Sequence, residues 1–347
     1  MTTTPTAAPL HDVISALAHD LPLTQDAVTA AFDVVMRGDA SPVQISALLT
    51  GLRVRGETPD VIAGAASALR RAMVHLELPE RDSIVDTCGT GGGTVGTFNI
   101  STAAALVAAG AGVRVAKHGN RSFTSKSGSA DVLEALGVNI DVDTEAMQRA
   151  YTAAGIVFMF APRMHPAMRH VGPVRRELGV PTVMNVIGPL ANPASVGRQV
   201  IGVADAGRAE VIARALAALG TIHSLVVHGE PGMDEISPLG PTRVLEVRYG
   251  AVTEWNIDPE AIGVGRARAS ELAGGTPAEN AALVRACLDG SAPTGAISAV
   301  VANAGAAVYV AGLANTLSEG VEKAKAAVAN GSATTALNRL RDALPRQ

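Results

Sequence analysis

The chain has 347 residues, of which 48% are hydrophobic, 3% aromatic and 17% charged, with 36 glycines. That apolar content excludes a disordered chain, and the length allows about two domains around a sizeable core built mostly from Ala, Val, Leu and Ile. A formal net charge of -4 excludes a general affinity for nucleic acid or an anionic membrane surface, so any anion must be held locally.

Met1 to Leu10 has neither the basic nor the long apolar stretch of a signal peptide, and Ala103 to Val115 is broken by Gly110 and Gly112, short of the roughly 20 residues of a membrane span. Cys88 and Cys287 lie far apart and outside any CxxC, which predicts free thiols and a reducing cytoplasm. The sequon Asn99-Ile100-Ser101 then carries no glycan.

Residues 1–77 predict a small helical domain. Thr24-Gln25-Asp26 opens a helix that stops at Gly38, Ser41-Pro42-Val43-Gln44 is a capping box with proline at its first helical position, and Thr58-Pro59-Asp60 starts another. Packing or dimerisation is the plainest role for such a unit.

Residues 78–347 predict an α/β domain. Buried strands are expected at Ser83 to Thr87, Val113 to Ala116, Ile156 to Phe160, Gln199 to Val203 and His223 to Val227, with helices near 102–111, 130–136, 144–153 and 207–219 between them. Such alternation implies a mainly parallel central sheet flanked by helices, with ligands at the carboxyl ends of its strands. A basic amphipathic helix within 164–185 interrupts the pattern and is expected to return to the helical domain. Ala296 to Ala314, long and nearly uncharged, predicts a helix buried against the sheet.

The segment from Asp86 to Thr102, DTCGTGGGTVGTFNIST, runs from a strand through glycines into a helix. Glycines let backbone N–H groups approach an anion, and the following helix N-terminus adds free N–H groups and a favourable dipole. Ser101 and Thr102 can cap that helix, bind phosphate, or both. No GxxxxGK[ST] is present, which argues against a P-loop nucleotidase. Gly91, Gly93 and Gly96 satisfy GxGxxG, but Gly110 to Arg121 holds no acid for a dinucleotide ribose.

A second loop, Lys117 to Ser129, gathers Lys117, Arg121 and Lys126 with several hydroxyls, suited to charge-assisted bonds to a polyphosphate. After the strand ending near Val227, Asp234 and Glu235 stand side by side on a Gly/Pro-marked turn. Facing a phosphate site, they suit Mg²⁺, which takes one or two carboxylates plus phosphate oxygens and water. An arginine of the basic helix can hold a carboxylate bidentately.

These segments, in this order, resemble the anthranilate phosphoribosyltransferase family. The resemblance is carried by GTGG at Gly89 to Gly92, NIST at Asn99 to Thr102, KHGNR at Lys117 to Arg121, SGSADVLEALG at Ser127 to Gly137, VRRELG at Val174 to Gly179 and GPLANP at Gly188 to Pro193. It covers roughly residues 10 to 340.

The resemblance implies a phosphoribosyltransferase of the nucleoside phosphorylase type of fold, a cytoplasmic homodimer joined through its helical domain. It implies Mg²⁺-dependent transfer of phosphoribose from 5-phosphoribosyl diphosphate (PRPP) to the amine of anthranilate, the second step from chorismate to tryptophan. The residues matching PRPP positions are Gly89, Gly92, Gly93, Thr97, Asn99, Ile100, Ser101, Thr102, Lys117, His118, Gly119, Asn120, Arg121, Ser122, Phe123, Thr124, Ser125 and Ser129. Ser101, Asp234 and Glu235 match Mg²⁺ ligands; Gly89, Asn120 and Arg175 match anthranilate contacts; Lys117, Asn120 and Arg175 are the expected catalytic residues. One departure is Gly93, where the family pattern often reads GTGGD, so a carboxylate near the diphosphate is absent.

Two rival readings differ in class. A pyrimidine nucleoside phosphorylase is expected to carry a KxSTGG-type loop, where this chain has Asp86-Thr87-Cys88 before GTGG. A single-strand nucleic-acid binder wants a basic groove with stacking aromatics, which three Tyr, one Trp and five Phe at net charge -4 do not supply.

Overall fold

The computed structural model describes residues 7–122 and 126–345. Four helices come first: α1 (Ala8–Ala18), α2 (Gln25–Arg37), α3 (Pro42–Arg55) and α4 (Pro59–Ala72). Local chemistry sets their ends. Thr24, Ser41 and Thr58 side chains accept the backbone N–H of Ala27, Gln44 and Val61, and Gly38 ends α2 at φ 82°.

The rest of the chain adds β1 (Val85–Gly89), α5 (Ile100–Gly110), β2 (Val115–Gly119), α6 (Ser129–Ala135), α7 (Thr144–Ala154), β3 (Ile156–Phe160), α8 (Ala161–Met164), α9 (Gly172–Leu178), β4 (Arg198–Gly202), α10 (Ala206–Ala218), β5 (His223–Gly229), β6 (Thr242–Arg248) and β7 (Ala251–Ile257). It closes with α11 (Pro277–Asp289), α12 (Thr294–Val310), α13 (Leu317–Ala329) and α14 (Ser332–Ala343). The seven strands form one sheet in the order β3-β2-β1-β4-β5-β6-β7. The first five are parallel, and β6 and β7 extend the sheet as an antiparallel hairpin. The chain moves outward through β2 and β3, then returns to place β4 on the other side of β1. That reversal opens a crevice at the carboxyl ends of β1 and β4.

Two expected strands lie further along than the apolar runs suggested. β1 continues through Cys88 and Gly89 because it pairs with β4 as far as Gly89 opposite Gly202, and β2 absorbs Lys117, His118 and Gly119 through pairing with Phe158, Met159 and Phe160. Residues that read as a basic loop are therefore sheet residues. The basic helix expected across 164–185 is broken instead into α8, a 3-10 turn at Pro166–His170, α9 and another turn at Val183–Asn185. Pro166 and Pro173 cannot donate within a continuous helix, and Gly179 closes α9 at φ 63°.

The sheet buries both faces. Val200, Leu225, Val227 and Val244 pack with α5 and α12, while Ile201, Val226, Leu245 and Val247 pack with α10 and the first four helices. Neighbours along each strand thus serve opposite layers. α12 is almost wholly buried, as its composition suggested. No single described helix is long and apolar enough to cross a membrane.

α12 and α13 approach closely at Gly305 and Gly320. A Cβ on Gly305 would lie 2.6 Å from the Val321 backbone N and from its Cγ2. Gly305→Ala is therefore expected to destabilise the protein by about 1–3 kcal/mol through overpacking. Urea unfolding checks this as a lower midpoint with an unchanged slope.

Candidate active site

Lys117 is buried in the middle of β2, 3% exposed. Its Nζ donates to the Thr87 carbonyl and, at 3.3 Å, to Ser101 Oγ. Beneath it Asp86 is fully buried on β1, accepting from the His118 N–H at 3.2 Å and from Asn192 Nδ2 at 2.8 Å. Burial raises the Asp86 pKa, against the opposing effect of Lys117.

The glycine loop after β1 is held from three sides. Thr90 N–H donates to Gly202 O at 2.9 Å, Thr94 Oγ1 donates to Pro231 O at 2.7 Å, and Phe98 N–H donates to Leu272 O at 2.9 Å. Gly91 and Gly92 have φ of 70° and 81°, and no atom lies within 4 Å of a Cβ built on either. The Cβ side of this left-handed stretch is thus open, so the loop backbone can be approached closely, as an anion cradle needs.

α5 starts at Ile100 with Asn99 at its N-cap position, so Ser101 and Thr102 stand inside the first turn and neither caps it. Asn99 has another task. Its Nδ2 donates to Ser127 O at 3.1 Å and its Oδ1 accepts from Asn280 Nδ2 at 2.9 Å, joining the two loops to α11.

Asp234 and Glu235 reach this crevice from the loop after β5. Asp234 Oδ2 accepts from Gly91 N–H at 2.8 Å, and Glu235 Oε1 accepts from Ser101 N–H at 3.0 Å. Burial raises both carboxyl pKa values, and for Glu235 the neighbouring Asp234 raises it further. The Cβ position of Gly93 is 3.3 Å from Asp234 Oδ1. A carboxylate from the β5 loop therefore stands beside the place where the GTGGD pattern would put one. The described residues hold no group of three or more His, Cys, Asp or Glu that could ligate a metal without other ligands.

Other expected site residues are placed differently. Arg121 projects to Asp131 at 2.8 Å and Glu134 at 2.6 Å, so its charge is compensated by α6 and not offered to a phosphate. Asn120 turns its Oδ1 to the Arg121 N–H, while its carbonyl accepts from Ser129 Oγ at 3.2 Å. Thr97 bridges to Ala273 through its backbone. Gly119 leaves room for Ser129, whose Oγ a Cβ would overlap. Among the described residues Thr102 Oγ1 is buried without a partner. Ser122 is half-buried, its N–H donating to Asp131 Oδ2 at 3.3 Å. Phe123, Thr124 and Ser125 lie outside the described residues. Arg175, on α9 against α3, is half-buried, its guanidinium without a hydrogen bond or ion pair among the described residues, and burial lowers its pKa.

Three supports escaped sequence reasoning. Asp86 was visible as a charge in an otherwise apolar strand, Asn192 as the polar centre of GPLANP, and Asn303 as the lone amide of α12. Asn303 clasps the Ile236 N–H at 2.9 Å and its carbonyl at 3.0 Å, fixing the chain next to Glu235.

A model of the glycosyl transferase family a/b domain matches residues 81–334, and one of the family's helical bundle domain matches residues 11–73. Anthranilate phosphoribosyltransferase of Rubrobacter xylanophilus is 49% identical over 330 residues, spanning 95% of this chain and 96% of its own. The chain belongs to the anthranilate phosphoribosyltransferase family. Structures agree: the family's enzyme from Thermus thermophilus superposes with a TM-score of 0.90 at 44% identity, covering 96% of this chain and 99% of its own. That of Saccharomyces cerevisiae in complex with PRPP and Mg does so with 0.87 at 29% identity, covering 97% and 98%. The family's members are pentosyl-transferring enzymes, and this chain has the helical unit and α/β sheet that its two models describe.

Behind the site the His118 and His165 rings lie 4.9 Å apart, both buried. Burial holds His165 down to about 4 from 6.5, and burial followed by His165 holds His118 well below its ordinary value. Between those values the unfolded chain binds more protons, so stability is lost as pH falls from 6.5 toward 4, by on the order of 3 kcal/mol for His165. His165→Phe is expected to flatten the fall in melting temperature over that window. Parallel pH profiles of mutant and parent would refute this origin.

Proposed function

We propose that this chain transfers the phosphoribosyl group of PRPP to the amine of anthranilate, giving N-(5-phosphoribosyl)anthranilate and diphosphate, the second step from chorismate to tryptophan. The observation that carries the reading is the convergence of the Gly91–Gly92 loop, the α5 N-terminus, Lys117 and the Asp234–Glu235 pair on one crevice at the β1/β4 reversal.

The donor set fits a divalent cation. Two adjacent, half-buried carboxylates have only Lys117 as a nearby compensating charge among the described residues, and Ser101 adds a hydroxyl beside them. Mg²⁺ prefers such oxygen ligands together with phosphate and water, and when bound it neutralises charge on the departing diphosphate. In the reaction the aromatic amine forms a bond to C1 of the ribose as the C1–O bond to diphosphate breaks, and the amine then sheds a proton. The reacting carbon gains oxocarbenium character, and the neutral amine needs no strong base. Lys117 and the backbone donors of Gly91 and Gly92 stabilise the leaving group. Arg175, half-buried and without a described partner, holds the anthranilate carboxylate and orients its amine, and Asn120 contacts the same substrate. Gly89, Gly93, Thr97, Asn99, Thr102 and Ser129 shape the PRPP pocket.

A homodimer through the helical domain is part of this reading. Val43, Ala47, Thr50 and Val54 form an exposed stripe along α3, with Val43 78% and Val54 83% exposed, and Leu21 and Val180 are exposed besides. Two free thiols, Cys88 and Cys287, support a reducing, cytoplasmic setting.

Loss of anthranilate fluorescence on adding PRPP and Mg²⁺ tests the activity; a folded sample without that loss rejects it. Arg175→Ala is expected to raise KM for anthranilate about tenfold or more and leave KM for PRPP nearly unchanged, since one charge-assisted bidentate contact is removed. The reverse pattern assigns Arg175 elsewhere. Asp234→Asn with Glu235→Gln is expected to shift the Mg²⁺ dependence of turnover to higher concentration, read from a metal titration.

A further inference from the structure

Both carboxylates of the acidic pair are hydrogen-bonded to the groups that should receive phosphate. We propose that Asp234 and Glu235 act as internal anions, occupying N–H groups of the diphosphate cradle in the ligand-free enzyme and yielding them when diphosphate binds. This rests on reading the crevice as a PRPP site.

The two donors are those a phosphate would use. Gly91 N–H belongs to the left-handed stretch of the glycine loop, and Ser101 N–H lies in the first turn of α5, where N–H groups lack intrahelical partners. Their acceptors, Asp234 Oδ2 at 2.8 Å and Glu235 Oε1 at 3.0 Å, come from 143 and 134 residues away in sequence. Neither contact is a local cap. Tertiary structure has delivered two acids to a place built for an acid.

The backbone beneath them is closely packed and pinned beside Glu235. A Cβ on Gly202 would overlap the Asp234 carbonyl, one on Gly89 would lie 2.6 Å from Asp234 Oδ2, and Asn303 clamps both backbone groups of Ile236. Release is therefore a side-chain rotation at fixed backbone. Lys117 does not offset the pair alone, because its single charge is shared with the buried Asp86. Diphosphate entering without a metal must displace one carboxylate from an N–H and then face the negative charge of the pair. A divalent cation that engages the carboxylates removes both penalties, so cation and diphosphate affinities are coupled and the coupling is reciprocal.

The test uses inorganic diphosphate and the full chain with metal chelated. Calorimetry is expected to show Asp234→Ala binding metal-free diphosphate about tenfold tighter than the parent, the size of one released charged hydrogen bond. Asp234→Asn, which loses the charge but keeps an acceptor oxygen, should gain less. Amide hydrogen exchange supplies the direct reading: Gly91 and Ser101 are slow in the ligand-free parent, Gly91 becomes fast in Asp234→Ala, and diphosphate restores its protection. Equal or weaker metal-free binding by Asp234→Ala, or fast exchange at both amides in the parent, overturns the proposal. Should Asp234→Ala fail to fold, Glu235→Ala reads the same competition at Ser101, and exchange in the parent requires no mutation. Because no anthranilate or PRPP is used, a chain that shows this competition but makes no phosphoribosylanthranilate refutes the proposed reaction and not this inference.

Discussion

Everything in the crevice depends on how closely the loop after β5 can approach the ends of β1 and β4. Gly89 and Gly202 pair across those two strands, and Asp234 lies against both. Any side chain at Gly202 would occupy the space of the Asp234 carbonyl. With both positions vacant, the acidic turn sinks onto the sheet edge, where it braces the glycine loop through Thr94 and Gly91 and meets α5 at Ser101. Glycine here acts less as a source of flexibility than as missing volume between three backbone segments.

That approach gathers charge in a chain whose average composition hides it. Asp86 and Lys117 are buried within β1 and β2, and Asp234 and Glu235 are half-buried in the loop after β5. Burying ions is unfavourable unless each finds partners. Asp86 has them, in His118 N–H and Asn192. The acidic pair has only single backbone donors among the described residues, which leaves it poised for a cation and phosphate. Arg121 shows the opposite arrangement: it closes the basic KHGNR run, yet Asp131 and Glu134 consume its charge and it stacks over Phe160 at 5.6 Å.

The helical unit and the sheet are less separate than the division at residue 77 suggests. One apolar cluster runs from Leu10 and Phe32 through Val171 and Val174 to Ile212 and Val226, and α10 packs directly on α4. Across that joint, Glu57 pairs with Arg208 at 3.0 Å. Arg175 rides on α9 against α3, so its position relative to the crevice is set by this joint.

The sequence by itself determined the element types, the parallel sheet, the helix caps and the glycine and acidic loops. Those depend on neighbours a few residues apart: Ser41 with Gln44, Thr276 with Glu279, Gly91 with Gly92. The alternation in Thr242 to Ile257 around Tyr249-Gly250 was there to be read as a hairpin too. Tertiary structure alone decided which loops touch. It drew Lys117, His118 and Gly119 into β2 through pairing with β3, broke the 164–185 segment against the first helices, diverted Arg121 to α6, and placed two carboxylates on amide groups 143 and 134 residues away. No local pattern encodes those outcomes, because each depends on the space left between elements that sheet order brings together.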